Sequence, residues 1–280
     1  MQGNTEKGYV LENDKLKKAT TKQKLVQWWY GVTEPHILCI ADYMLKSEKR
    51  KKIYVSMSKP KSLPQGVIIS TDAACRFIDF IYSQNPDNLS ARMAVTDCVC
   101  QTALKKHKEP RKKDMALLYA ADMYTTLKHT GIKEDFEIIE TAEKAKEMVR
   151  YFNECGLMHN VLYCNHSGKW TFVMCNCDNE ICVPFRSYIA GRKEEMGAGP
   201  EIVKYDDNKC IGTDKCGKCL QRCILKASYT SDNKKSKVRL DECLGCGLCV
   251  ATCEGKARIL EPRMDYKHED VLTTKILLGQ

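Results

Sequence analysis

Two hydrophobic periods run along the chain. Ala73, Phe77, Ile78 and Ile81 recur at helical spacing behind Thr71-Asp72, a capping pair, and predict a helix to about Ser83. Ile138, Ile139, Ala142, Ala145 and Val149 repeat the spacing over 136–154 among charged residues, and Gly156 follows as a C-cap. Further helices are expected over 114–129 and over Pro35–Lys49, where Ile37, Ile40, Ala41, Met44 and Leu45 share a side. Shorter apolar runs read as strands: Ile53–Ser56, Arg92–Thr96, Val161–Tyr163 and Trp170–Met174. Turns are expected at Pro60 and Pro64, at Asn85–Ser90 and at Asn165–Lys169. Residues 1–24, polar and Lys-rich, are expected to be poorly ordered. The aromatic run Leu25–Gly31 reads as core or interface. Residues 186–208, with Gly191, Gly197, Gly199 and Pro200, read as a linker, and Ile276-Leu-Leu as a tail packed back on the protein.

The mixture of periods predicts an α+β fold, and 280 residues predict about two domains. With 43% apolar and 29% charged residues the chain can bury a core without covalent staples, so its 17 cysteines need another explanation. Seventeen is odd, and the cysteines fall into C-x2-C and C-x-C units, as metal ligands do. A disulfide framework is the weaker reading. Such thiolates survive best in a reducing compartment. No signal peptide follows Met1, and no stretch reaches the roughly 20 apolar residues of a spanning helix. The expectation is a cytoplasmic protein without direct membrane insertion.

Charge is uneven. The net charge is +9, and residues 1–70 carry 13 Lys/Arg against 6 Asp/Glu. A basic head predicts docking to something acidic, with acidic protein, anionic lipid and nucleic acid all open, and a redox partner protein with an acidic docking face is the expected partner. A helix, the basic turn Lys46–Lys52 and a strand would also suit a small DNA-binding domain, but no recognition helix follows, so nucleic acid is not expected.

The chemistry concentrates in the last third. Cys243, Cys246, Cys249 and Cys253 are spaced C-x2-C-x2-C-x3-C, and Cys210, Cys216, Cys219 and Cys223 lie upstream. Thiolates are soft anionic ligands suited to iron–sulfur clusters. C-x2-C pairs also bind zinc, but two four-cysteine runs favour iron. This stretch resembles the bacterial-type ferredoxin module with two 4Fe–4S clusters. The resemblance implies one cluster on Cys210, Cys216, Cys219 and Cys253, and another on Cys243, Cys246, Cys249 and Cys223. It implies a ferredoxin-like domain over 201–262, with short strands at Lys237–Leu240 and Ala257–Leu260. Gly217, Gly245 and Gly247 would let backbone approach the clusters. Two departures stand out. Five residues, not two, separate Cys210 from Cys216, so Cys210 either reaches its iron or leaves a labile or three-iron centre. Ile224 and Glu254 stand where the family has proline.

Five more cysteines follow strand patterns: Cys98 and Cys100, then Cys175, Cys177 and Cys182. Together with Gly156-Leu-Met-His159 they resemble a Cys-rich domain of iron–sulfur proteins from anaerobes, placed upstream of a two-cluster ferredoxin. Four of these five suffice for a third cluster; buried free cysteines are the alternative. Asp178, Asn179 and Glu180 occupy a stretch where that resemblance leads one to expect cysteine. Cys39, Cys75, Cys155 and Cys164 read as core, and His159 and His166 as structural.

The domains expected are a basic, partly disordered region over 1–66, a Cys-rich α/β domain over 67–200, the ferredoxin domain over 201–262 and a tail over 263–280. The function expected is electron transfer, passing single low-potential electrons between a donor and a partner redox enzyme. The alternative is an oxidoreductase, or a subunit of one, whose cluster at Cys98–Cys182 binds or reduces a substrate. No side chain is assigned to bond chemistry, and the sequence holds neither a G-x-G-x-x-G fingerprint nor a P-loop. It leaves the oligomeric state open.

Overall fold

The computed structural model describes residues 8–12, 15–58, 64–84, 92–127, 136–164, 170–264, 266 and 274–279. In chain order the elements begin with β1 (Tyr9–Glu12), β2 (Lys15–Lys18), α1 (Thr21–Leu45), α2 (Glu48–Ser56), β3 (Gly66–Ile69) and α3 (Thr71–Ser83). Then come β4 (Met93–Asp97), α4 (Val99–Leu104), β5 (Lys112–Leu117), α5 (Tyr119–Leu127), β6 (Glu137–Ile138), α6 (Ala142–Glu154), β7 (Met158–Cys164) and β8 (Trp170–Cys177). The last third holds α7 (Val183–Ala190), β9 (Glu201–Tyr205), α8 (Lys218–Arg222), β10 (Ser228–Thr230), β11 (Ser236–Val238), α9 (Leu248–Ala251), β12 (Arg258–Pro262) and α10 (Thr274–Leu278).

β8 organises the large sheet. β7 pairs along one edge and β3 continues beyond it; the other edge takes β1 near the start of β8 and β5 near its middle. β2 pairs with β1, and β4 and β6 extend the sheet beyond β5. Every one of these ladders is antiparallel. Side chains alternate across the sheet, so each strand feeds two cores. Met93 and Val95, Met115 and Leu117, Met174 and Val161 face one side with Phe77, Ile78 and Ile81 of α3 and Val149 and Phe152 of α6. Ala94, Ala116, Trp170 and Phe172 face the other, with Ala120 and Ala121 of α5 and Val26 and Tyr30 of α1 packed there. Fully burying a side chain of the size of Phe77 or Ile78 contributes roughly 1.5–3 kcal/mol.

Several expectations hold. α3 ends at Ser83, although its cap is Ser70, whose Oγ accepts from Ala73 N at 3.0 Å. β4 and β8 stand where expected, and α10 returns to pack Leu277 in the α3–α6 core. Others are corrected. Residues 9–12 and 15–18, expected to be poorly ordered, form a hairpin that buries Val10 and Leu11. α1 begins at Thr21, not at Pro35, because Thr20 and Gln23 form a capping box, a device worth about 1 kcal/mol. Ile53–Ser56 is helical: Ser47 and Glu48 start a helix in which the Lys-rich run outweighs two β-branched residues. Lys112–Leu117 is a strand, so the helix expected over 114–129 starts only at Tyr119. The supposed linker holds the end of α7 and all of β9, and the α/β label for the middle gives way to an antiparallel sheet. Cys39 and Cys155 are exposed rather than core. Pro60, Asn85–Ser90, Asn165–Lys169, His166 and residues 128–129 lie outside the described residues.

Candidate metal centres

The C-terminal module is two short hairpin-like pairings, β9 with β12 and β10 with β11, carrying two short helices. α8 and α9 each start behind a glycine with positive φ, Gly217 (+64°) and Gly247 (+74°). Cys210, Cys216, Cys219 and Cys253 line one small cavity that opens to solvent. The long Cys210–Cys216 segment is folded back: Cys216 N donates to Gly212 O at 3.1 Å, and Thr213 N to Lys234 O at 2.8 Å. Cys210 therefore reaches the same cavity as its three companions.

Cys223, Cys243, Cys246 and Cys249 form a second group. Burial pushes the Cys246 thiol up, and Cys249, Cys243 and Cys223 beside it push further. Cys249 is pushed up to about 11, by burial first and by Cys243 and Cys223 as well, although Arg258 pulls it down. Arg258 is the group that sequence reading missed. It is 3% exposed. Its guanidinium donates to Ser228 Oγ at 2.9 Å, Ser236 Oγ at 2.6 Å and Lys237 O at 3.2 Å, and it bonds the Cys249 thiol. Among the described residues no carboxylate pairs with it. Ser236 Oγ also accepts from Cys219 Sγ at 3.0 Å, so one buried cation ties both groups.

The third group gathers at the ends of three elements. Cys98 caps α4, Cys182 caps α7 with its Sγ accepting from Phe185 N at 3.5 Å, and Cys175 and Cys177 end β8. Cys98 is raised well above the usual thiol range, first by its hydrogen bond with Cys100 and then by burial. Cys100 bonds Cys182 and is raised by it; Cys182 bonds Cys177. Cys175 is raised by burial and by Asp114, Cys98 and Cys100. All five candidates thus meet at one place.

Charged side chains shape this site. Lys113 Nζ pairs with Asp178 Oδ2 at 2.8 Å, with both side chains under 5% exposed. Asp178 Oδ1 accepts from Glu180 N and Ile181 N at 2.8 and 2.6 Å, an Asx-type turn that brings Cys182 back to Cys177. Asp114 Oδ2 accepts from Val99 N at 2.9 Å, and burial pushes its carboxyl up to about 6. Leu38 and Ala41 of α1 roof Cys98 and Cys100. His159 is no ligand: its Nδ1 faces Asn176 Oδ1 at 2.6 Å and its Nε2 faces Thr71 Oγ1 at 3.0 Å.

The donor sets fit iron–sulfur clusters. Thiols crowded out of water cannot ionise together without a cationic centre to offset their charge. Among the described residues no three Cys, His, Asp or Glu side chains stand as a single metal ion requires. The first group instead rings a space, as a polynuclear cluster needs.

The family model of the 4Fe-4S dicluster domain matches residues 202–254. This stretch is a 4Fe–4S dicluster domain. Weaker likenesses agree with it. The chain is 27% identical to the B component of polysulfide reductase from Wolinella succinogenes over 93 residues, 32% of this chain and 48% of that protein. It is 34% identical to the B component of tetrathionate reductase from Salmonella typhimurium over 94 residues, 31% of this chain and 35% of that protein. The chain thus spans less than half the length of these relatives. No solved structure matches it.

Proposed function

We propose that the protein is an iron–sulfur electron-transfer subunit that serves a partner oxidoreductase. The observation that carries this is the contiguity of the three thiol groups. Arg258 and Ser236 join Cys219 of the first to Cys249 of the second. Cys246 of the second shares a packed core, through Leu244 and Leu248, with Cys175, Cys177 and Cys182 of the third. The ligand sets proposed are Cys210, Cys216, Cys219 and Cys253; Cys223, Cys243, Cys246 and Cys249; and four of Cys98, Cys100, Cys175, Cys177 and Cys182. When bound, such clusters take up and release single electrons at potentials set by burial, charge and hydrogen bonds. The chain's own residues hold the sulfurs, exclude water and place one cation between the first two groups. The two relatives, both named as components of reductases, support a role beside a larger redox enzyme.

Burial at the third group favours a relay over a substrate site. Cys98, Cys100, Cys177 and Cys182 are all buried, and α1 covers the first two. Anaerobically purified protein is to be assayed for iron and sulfide per chain, with EPR of the reduced form. Three distinct signals are expected, unchanged by small sulfur compounds. Cys177→Ser should remove one signal and leave the other two. Two clusters in the unmodified protein would remove the third centre. A signal shifted by an added small molecule would turn the reading toward a substrate-binding enzyme.

A further inference from the structure

Helix α1 is seated with its polar side inward. Gln23, Gln27 and Asp42 are buried beside Leu38 and Ala41. Most of their polar groups are engaged there. Gln23 closes the capping box, Gln27 Nε2 donates to Tyr124 Oη at 2.5 Å, and Asp42 is held by Arg186 at 2.7 Å and Lys46 at 2.6 Å. These partners fix which way round the helix lies. The outer side carries Leu25, Trp28, Trp29, Ile37, Ile40 and Tyr43, each between 43 and 63% exposed. At 100° per residue all but Ile37 fall on one face, and a rise of 1.5 Å per residue stretches that face over about 27 Å. An apolar stripe of this size, interrupted on its outer face by exposed His36, marks a contact surface.

Charge selects the occupant. Between Lys24 and Lys46 the only formal charges in the sequence are Glu34 and the buried Asp42. Exposed lysines stand at both ends, Lys18 and Lys22 before the stripe and Lys46, Lys49 and Lys52 after it. Protein interfaces favour Arg and are depleted in Lys. A bilayer surface takes the present pattern: Trp and aliphatic side chains at the headgroup boundary, and lysines on the anionic phosphates around them. No helix among the described residues is long and apolar enough to cross a membrane, so the contact is with the surface. The sequence alone leaves acidic protein and anionic lipid open for the basic head; the apolar stripe between its lysines selects lipid.

We propose that the outer face of α1 binds an anionic lipid bilayer, seating the protein on the membrane surface as a peripheral body. None of the residues involved belongs to a proposed ligand set, so this surface stands or falls apart from the cluster assignment. The layer beneath α1 is the Cys98–Cys100 roof, so the third thiol group would lie about one helix diameter, ~10 Å, from the bilayer surface.

The test uses the full chain, with iron content checked in every sample, and vesicles of phosphatidylcholine with or without phosphatidylglycerol. Co-sedimentation is expected with the anionic vesicles, weakening as salt rises. Tryptophan emission should shift to the blue on binding. Trp170 is buried, so the shift reports on Trp28 and Trp29. The double variant Trp29→Ser/Ile40→Ser changes only exposed side chains and should lower affinity at least ~10-fold. Each of Lys49→Glu and Lys52→Glu should lower it about fivefold or more. Absence of binding to any vesicle would overturn the proposal and return the face to a protein partner. Binding with unchanged tryptophan emission and no effect of Trp29→Ser/Ile40→Ser would also overturn it, since lysines alone would then be responsible.

Discussion

Arg258 offers the sharpest test of how the chain sets the properties of its C-terminal clusters. Arg258→Gln removes a buried positive charge that touches Cys249 and lies near Cys219 and Cys223. Reduction adds negative charge, so a neighbouring cation favours the reduced form and raises the potential. At about 7 Å and an effective dielectric near 20, one unit charge is worth ~2.4 kcal/mol, or ~100 mV for a one-electron couple. Both C-terminal signals should therefore move to lower potential in Arg258→Gln. The larger shift, about 100 mV, is expected for the centre proposed on Cys249. Arg258→Lys keeps the charge and should recover most of it. The assay is an EPR-monitored redox titration. The three hydrogen bonds from the guanidinium also tie β12 to β10 and β11. Bonds from a charged donor contribute roughly 1.5–3 kcal/mol each, so the variant should melt lower, and only samples with the full iron and sulfide complement are compared. Unmoved potentials at full iron content would refute the reasoning and leave Arg258 as a structural tie.

Three further outcomes concern the scaffold. Lys113→Met strands Asp178 without its buried partner and should cost about 3–5 kcal/mol in denaturant unfolding; Lys113→Met/Asp178→Asn should recover part of it, and full additivity of the two changes would count against the pair. His159 is buried and held near pKa 4 by desolvation, below its unfolded value. The unfolded state then binds the extra proton between about pH 6.5 and pH 4, so up to ~3 kcal/mol of stability is present above pH 6.5 and is lost as pH falls through that window. His159→Gln should flatten this part of the stability profile, and an unchanged slope would show that other groups produce it. Gly245→Ala would place a Cβ 2.1 Å from Glu201 O at a φ of +82°; a melting temperature equal to that of the unmodified protein would contradict that close approach.

The ferredoxin-like spacing was legible because a short spacer constrains where thiols can go whatever surrounds it. The convergence of Cys98 and Cys100 with Cys175, Cys177 and Cys182 was legible in outline, since both groups follow strand patterns. What holds them was not. The burial of Lys113, Asp114 and Asp178 has no local sequence sign, and Lys112–Leu117 mimics the start of a helix. Asp178 stands where the resemblance calls for cysteine, yet it builds the turn that returns Cys182 to the site. Gly245 was expected to let backbone approach a cluster; its φ and the nearby Glu201 carbonyl give it a packing reason as well. The exposed stripe on α1 was missed because the helix was begun at Pro35, which hid the face shared by Leu25, Trp29 and Ile40.

On the proposed ligand sets, the three groups have unlike surroundings. The first lines a cavity partly open to solvent, beside Ile211, Gly212 and Thr213. The third is mostly buried, with Cys98 and Cys100 beneath α1, and the second lies between them through Arg258 on one side and the Leu244–Leu248 core on the other. A relay needs two outlets on different surfaces, and this order supplies them: the cavity edge at one end and the outer face of α1 at the other. A carrier with a single outlet would need neither the roof nor the third group. Four buried thiols and the half-buried Cys175 gather at the end away from that cavity, with Cys98 and Cys100 packed under α1, and this placement argues for an electron path that crosses the molecule, from the cavity edge toward α1.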